Sequence, residues 1–366
     1  MNYYIIAGEA SGDLHASNLM KEIKLLDREA NFRCWGGDLM EKQGSVLVKH
    51  YRDLAFMGFT EVVMNLHTIF KNINFCKKDI LEFRPDVIIL VDYPGFNLRI
   101  AQFAKANGIK VFYYISPQIW AWKESRIHQI KRTVDKMFVI LPFEKDFYKK
   151  YNYDVDFVGH PLLDAIENFA SPQPSPEERE KVIAILPGSR KQEIAKMLPV
   201  MLSIKNDFKD FRFVIAAAPS VPKEFYENFT SGNDIEIVYG QTYDLLKQAT
   251  AAIVTSGTAT LETALFEVPE VVCYKGGSVS YYIAKLLVKV KFISLVNLIM
   301  DKEVVKELIQ TDFNAENLKA ELKKILFDEP KRNEIKENYI LLKQKLGGKG
   351  ASKKTAELMI QYLLNK

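Results

Sequence analysis

The chain has 366 residues, 48% of them hydrophobic and 12% aromatic, with a formal net charge of +4. That length allows two domains with sizeable cores, and the mild charge suits anionic small molecules or a membrane surface; no nucleic-acid-binding signature is present, and no apolar run reaches the ~18 residues of a spanning helix. Cys34, Cys76 and Cys273 are odd in number and too scattered for a disulfide framework or a metal site, which fits a reducing cytoplasm, and Met1 leads straight into the first strand, so no signal peptide is expected.

Strands alternate with helices from the start, the pattern of an α/β protein with parallel sheets. Tyr3 to Ala7 is a strand, followed by the turn Gly8-Glu9-Ala10-Ser11-Gly12-Asp13 and a helix from about Leu14 to Leu26. The glycine spacing is not that of a dinucleotide fingerprint, which disfavours a dehydrogenase. Ser11 and Asp13 read either as helix caps or as residues at the ligand crevice beyond a strand end. Phe32 to Trp35 is a short second strand. Val62, Leu66, Ile69, Phe70, Ile73 and Ile80 recur at helical spacing, preceded by Phe56, Met57 and Phe59 and edged by Lys71, Lys77 and Lys78. This is either a core helix or a greasy, basic-rimmed surface for lipid.

Val87 to Val91 is the clearest buried strand, and Asp92 ends it, where a carboxylate stands over the crevice. Lys110 to Ile115 is the next strand. Trp120 and Trp122 follow, as core or as walls of a pocket, then a basic helix from Arg126 to Arg132. Lys136 to Leu141 is a strand, with Pro142 opening a helix. Asp154-Val155-Asp156 has a metal-binding spacing but sits in a strand-like run without further ligands, and the five histidines are dispersed, so no metal site is expected.

The proline-rich run from Ser171 to Pro176 marks a linker. A second alternation follows. Ile183 to Leu186 is a strand; Pro187-Gly188-Ser189-Arg190 breaks it, and a helix carrying Glu193, Ile194, Met197, Leu198 and Met201 begins. A strand, a small-residue turn and a helix N-terminus make an anion site, to which Arg190 adds a fork of donors. Phe213 to Ala217 and Glu236 to Tyr239 are strands, and Tyr243 to Ala249 a helix. Ala252 to Val254 leads to Ser256-Gly257-Thr258 and a helix with Glu262 one turn in, on the face of Thr258, placed to accept from a ribose. Val271 to Tyr274 is a strand. Lys275 to Met300 mixes Tyr281, Tyr282 and other apolar residues with lysines, as core or as a lipid-facing segment, and Asn297 could face the crevice. The remainder reads as helical, ending in a helix near Thr355 to Leu364. The expected organisation is an N-terminal domain over 1–170, a linker over 171–180, a C-terminal domain over 181–345, and a last helix over 346–366 on the N-terminal domain or a partner subunit.

The chain resembles the lipid-A-disaccharide synthase family along nearly its full length. The resemblance rests on Ala7-Gly-Glu-Ala-Ser-Gly-Asp13, Asp92-Tyr-Pro-Gly-Phe-Asn97, Ser116-Pro-Gln-Ile-Trp-Ala-Trp122, Leu141-Pro-Phe-Glu144, Gly159-His-Pro161, Leu186-Pro-Gly-Ser-Arg190 and Ser256-Gly-Thr-Ala-Thr-Leu-Glu262, in that order. It implies a GT-B glycosyltransferase, two Rossmann-like domains facing a cleft. Its members join UDP-2,3-diacylglucosamine to 2,3-diacylglucosamine 1-phosphate with inversion, giving a β-1′,6-linked disaccharide 1-phosphate and UDP, as peripheral proteins on the inner face of the cytoplasmic membrane.

The catalytic candidates are Asp92 as base, with Glu9 and then His15 behind it, and Arg190 for the leaving group. Ser189, Arg190, Glu193, Ser256, Gly257, Thr258, Glu262 and Asn297 are expected on the nucleotide, and Ser11, Gly12 and Asp13 at the cleft from the N-terminal side. Phe56, Met57, Phe59, Phe70, Tyr281 and Tyr282 are expected on lipid. The implied partners are the acylated donor and acceptor and the membrane surface, with a homodimer left open; no cofactor and no nucleic acid are expected. A UDP-N-acetylglucosamine 2-epimerase on the same fold, or a binding module without turnover, are the competing readings.

Overall fold

The computed structural model describes residues 1–54, 66–169, 181–230, 235–276 and 291–365. Phe56, Met57, Phe59, Tyr281, Tyr282 and the 171–180 segment lie outside them. The chain forms two compact units, Met1–Ala165 with Leu346–Lys366, and Ile166–Lys345.

The first unit carries a seven-stranded sheet: β1 (Asn2–Ala7), β2 (Asn31–Gly36), β3 (Val46–His50), β4 (Val87–Val91), β5 (Lys110–Tyr114), β6 (Lys136–Val139) and β7 (Asp156–Phe157). Its order is β3-β2-β1-β4-β5-β6-β7 and every pairing is parallel. β1, β4 and β5 are buried almost throughout, as strands with helices on both sheet faces must be. The chain runs outward from β1 to β3, then returns to lay β4 on the other side of β1. The strand order therefore reverses between β1 and β4, the place where open α/β sheets bind ligands. Ala7 pairs with Val91, so Gly8 and Asp92 stand just beyond the last pair.

The second unit repeats the device. β8 (Val182–Leu186), β9 (Arg212–Ala217), β10 (Glu236–Tyr239), β11 (Ala251–Thr255), β12 (Glu270–Tyr274) and β13 (Lys306–Ile309) form a parallel sheet of order β10-β9-β8-β11-β12-β13. Here the reversal falls between β8 and β11, with Leu186 paired to Val254. The turns after both strands are the two small-residue turns picked out in the sequence.

Several elements differ from the sequence reading: β3 and the helices Asp38–Lys42 and Lys223–Thr230 lie where no element was expected, and two further differences bear on the site. The stretch after Asn297 is not all helical: β13 closes the second sheet, pairing among the described residues with β12 alone. Its Lys306 and Glu307 are poor strand formers, so propensity hides it. The Glu307 carboxylate holds it down by accepting the N–H groups of Ile293 (2.9 Å) and Ser294 (3.0 Å). The first helix begins at Ala10, not Leu14, with Glu9 as its N-cap. Ser11, Gly12 and Asp13 are thus in its first turn.

The last helix, Ala351–Leu364, packs on the helix Ala10–Leu26 of the first unit. Asp164 caps it, accepting the N–H groups of Gly350 (2.7 Å) and Ser352 (2.9 Å). Its Tyr362 hydroxyl donates to Asp156 at 3.1 Å, which gives that carboxylate of the Asp154–Asp156 pair a structural partner.

Candidate functional site

In the first unit the site is built on strained backbone. Asp92 (φ 44°) and Tyr93 (φ 47°) are both left-handed, and Ile115, at the end of neighbouring β5, has φ 62°. Such conformations cost about 1–3 kcal/mol each and persist where the surroundings dictate them. The surroundings here are explicit. The Asp92 N–H donates to Tyr114 O (3.2 Å), and its carbonyl accepts from the Tyr113 hydroxyl (2.5 Å) and Asn97 Nδ2 (2.7 Å). Gly8 has to be glycine, because a Cβ there would lie 2.3 Å from the Tyr93 ring.

With both its main-chain groups pinned, Asp92 is left with its carboxyl half-buried at the strand end. Burial, then the negative charge of Glu9, push that carboxyl up to about 7, with the Tyr93 N–H pulling the other way. A carboxylate tuned to this range suits general-base work near neutral pH. His15, the third candidate, is removed by the structure: it is buried, and burial holds its imidazole down at about 4.

Ser11 is exposed, whereas Gly12 and Asp13 are buried. Gly12 sits against Ala7 and Val91, letting the helix approach the two strands. Asp13 is 3% exposed and caps the next helix (Asp38–Lys42), accepting the N–H groups of Gly37 (2.9 Å), Leu39 (3.1 Å) and Met40 (3.0 Å). Its carboxylate is committed to that loop, not open to a ligand. Of the lipid candidates among the described residues, Phe70 is 54% exposed on the helix Leu66–Phe83, while Ile73, Cys76 and Ile80 of the same helix are buried in the core.

One cluster in this unit received no chemistry from the sequence. Glu144, 1% exposed, accepts from Ser116 Oγ (2.5 Å) and from the N–H groups of Ile140 (3.2 Å) and Leu141 (2.9 Å), while the Tyr148 hydroxyl donates to Ser116 Oγ (3.3 Å). Burial pushes the Glu144 carboxyl up to about 7. The signal was in the Leu141–Glu144 motif, but nothing linear joins it to Ser116.

In the second unit the helices Lys191–Ser203 and Thr258–Leu265 begin at Arg190 and Gly257, neither of which caps with a side chain. Their first N–H groups therefore point outward from adjacent strand ends, with the positive helix poles behind them. The Thr255 hydroxyl is buried there with no partner among the described residues, and Thr255 Cγ2 lies 3.4 Å from where a Gly188 side chain would start. Ser189, Arg190, Gly257 and Thr258 are exposed. Arg190 is ion-paired to Glu193 at 2.8 Å, so Glu193 orients the guanidinium. Ser256 Oγ donates to Ile293 O (2.8 Å), tying this turn to the segment before Asn297. Glu262 accepts from the Tyr243 hydroxyl at 2.9 Å, and burial raises its carboxyl above the usual range.

Asn297 does not face a crevice. It is 0% exposed: its oxygen accepts from the N–H groups of Val304 (2.8 Å) and Val305 (3.0 Å), and its nitrogen donates to Val305 O (2.8 Å) and Glu307 (2.9 Å). All four capacities of the amide are used, so its effect on any ligand is through the backbone it holds. Among the described residues no cluster of three or more His, Cys, Asp or Glu is placed to hold a metal, and no helix is long and apolar enough to cross a membrane.

Two parallel-sheet α/β units, each with its exposed turns where strand order reverses, define the GT-B class of nucleotide-sugar enzymes. The fold is similar to the UDP-GlcNAc 2-epimerase of Neisseria meningitidis bound to UDP-GlcNAc (TM-score 0.69, 13% identity, 99% of this chain and 100% of that one) and to the kitacinnamycin glycosyltransferase (TM-score 0.67, 13% identity, 99% of each). At such identities the likeness is of fold alone. The family model for lipid-A-disaccharide synthetase matches residues 3–361. The chain is 40% identical over 373 aligned positions to the lipid-A-disaccharide synthase of Syntrophus aciditrophicus (98% of this chain, 97% of the relative) and 38% over 370 to that of Nitrosococcus oceani (98% and 95%). The chain belongs to the lipid-A-disaccharide synthase family. It is a glycosyltransferase of lipid A biosynthesis that takes a UDP-sugar donor and a lipid acceptor.

Proposed function

We propose that the chain transfers 2,3-diacylglucosamine from UDP to the 6-hydroxyl of 2,3-diacylglucosamine 1-phosphate, with inversion, at the inner surface of the cytoplasmic membrane. The observation that carries this reading is Asp92, a half-buried carboxyl held at about 7 on strained backbone where the first sheet's strand order reverses. As the acceptor hydroxyl attacks the anomeric carbon, Asp92 takes its proton. Glu9 contributes the negative charge that keeps Asp92 basic enough to do so. The bond to UDP breaks at the same time, and the departing diphosphate gathers charge on its oxygens.

In the second unit that charge is met by Arg190, oriented by Glu193, and by the open N–H groups at Ser189 and at Gly257–Thr258; such preorganised donors are typically worth about 3–4 kcal/mol each. Glu262, held by Tyr243, accepts from the ribose. Ser256 and Asn297 hold the turn and do not touch the ligand. Phe70 and the exposed Phe75 and Leu81 of its helix, with Lys71, Lys77 and Lys78 beside them, form the lipid-facing side.

The test mixes the purified chain with acylated donor and acceptor in nonionic micelles and follows UDP and disaccharide. Stoichiometric UDP and disaccharide, both dependent on the acceptor, are expected. Conversion of UDP-N-acetylglucosamine without any acceptor would establish an epimerase instead, and binding without release of UDP would leave only a binding module.

A further inference from the structure

Three cations of the first unit gather where β4 and β5 end. Arg99 lies on the helix Pro94–Ala106, which starts just after Asp92 and Tyr93; Lys123 and Arg126 lie on the segment leaving β5. Arg126 is 5.7 Å and Lys123 4.5 Å from the centroid of the Trp122 ring, so one half-exposed indole carries two cations. Among the described residues, none of the three is in an ion pair, and Arg99 gives only Nη1 to Gly95 O (2.8 Å), which leaves its other guanidinium donors for a ligand. Burial and the nearby Arg99 pull the Arg126 guanidinium below its ordinary value, and burial and Arg126 do the same to Lys123.

Like charges brought together and partly dried without a counter-charge are unfavourable until an anion joins them. The cluster also shares a neighbour with the base. The buried Tyr113 hydroxyl, which donates to Asp92 O, feels the charges of both Asp92 and Arg126. The helix that follows, Ile127–Thr133, is bonded to the Arg99 helix through Gln129 Nε2 and Leu98 O (3.1 Å). Arg126 and Lys123 are therefore fixed relative to the strand end that carries Asp92.

We propose that Arg126, with Lys123 and Arg99, binds the phosphate monoester of the acceptor lipid, one sugar ring away from the hydroxyl that Asp92 deprotonates. The proposal rests on the acceptor reading above. Trp122 offers its remaining face to the sugar or its acyl chains. An anionic membrane phospholipid presents the same phosphate chemistry, so the experiment separates the two sources.

Full-length chain in nonionic micelles is assayed on diacylglucosamine 1-phosphate and on the same lipid without its phosphate. Bonds between charged groups of this kind separate the two by roughly tenfold to a hundredfold in kcat/KM. Arg126→Ala should raise KM for the phosphorylated acceptor about tenfold or more, leave the donor KM unchanged and abolish the preference. Arg126→Lys should restore part of it, and Lys123→Ala should show the smaller effect of an exposed charge.

The proposal is overturned if Arg126→Ala slows both acceptors alike. It is also overturned if micellar kinetics are unchanged while binding to vesicles of anionic phospholipid falls. A wild-type chain that joins the substrates while the variant keeps its preference sinks this proposal alone; a wild-type chain that joins neither acceptor takes the functional reading down with it.

Discussion

Replacing Asp92 by Asn keeps the shape of the side chain and removes its ability to take a proton. The strained turn should survive, because Tyr113, Asn97 and Tyr114 bond to Asp92 main-chain atoms, and the amide oxygen of Asn can still accept the Tyr93 N–H that the carboxyl accepts. The expected loss is that of a positioned general base, about 10²–10⁴ in kcat, or roughly 3–5 kcal/mol of barrier. Donor affinity should not move, since the proposed donor groups lie on the other unit.

The wild-type pH profile supplies a second reading. The carboxyl works only when ionised, so with its pKa at about 7 the rate should rise through neutrality, standing near one-tenth of its plateau about one pH unit below the midpoint. Glu9→Gln removes a like charge that raises Asp92, so the rising limb should move to lower pH while the plateau falls as a weaker base takes over. The assay is UDP release at saturating donor from about pH 5 to 9, with UDP binding measured in parallel. An Asp92→Asn enzyme within about threefold of wild type, or a wild-type profile flat through pH 7, refutes the assignment.

Three further perturbations probe the scaffold around the site. Tyr243→Phe deletes a side-chain donor on Glu262 (2.9 Å) and should weaken UDP affinity by about 1–2 kcal/mol with little change in kcat, read by titration calorimetry. Asn297→Ala strips two N–H groups and two acceptors of their partner, and should lower the melting temperature by the equivalent of about 2–4 kcal/mol; Asn297→Asp should not rescue it, because a carboxylate cannot donate to Val305 O. Glu144 has its carboxyl raised from 4.5 to about 7, so the folded state binds this proton more tightly than the unfolded chain, and the stability it supplies is lost as pH rises from about 4.5 through 7. Glu144→Gln should flatten that part of the stability profile in denaturant titrations at several pH values, and an unchanged slope would show that the carboxyl is not the titrating group.

Strands buried on both faces announce themselves as unbroken apolar runs, which is why β4, β8 and β11, and hence the turns at Asp92, Ser189 and Ser256, were legible. β13 was not, because an edge strand reading Lys-Glu-Leu-Ile is held by register and by its own Glu307 carboxylate on the Ile293 and Ser294 N–H groups, contacts that strand propensity does not reveal. The polar residues of the motifs divide in a way no spacing reveals. Asp13, Asn97, Glu144 and Asn297 turn inward and satisfy main-chain groups 24, 5, 3 and 7 positions away. Asp92, Ser189, Arg190 and Thr258 are at least partly open to solvent at the strand ends. A motif marks where the backbone must do something unusual, and both kinds of residue are needed there. A left-handed aspartate can stand at a strand end only if an asparagine and a tyrosine hold its carbonyl, and Ser256 holds its turn only through a segment that Asn297 anchors. The chemistry assigned to the exposed residues therefore depends on the buried ones at every position where the two share a motif, and that dependence is one of direction, which only folded geometry supplies.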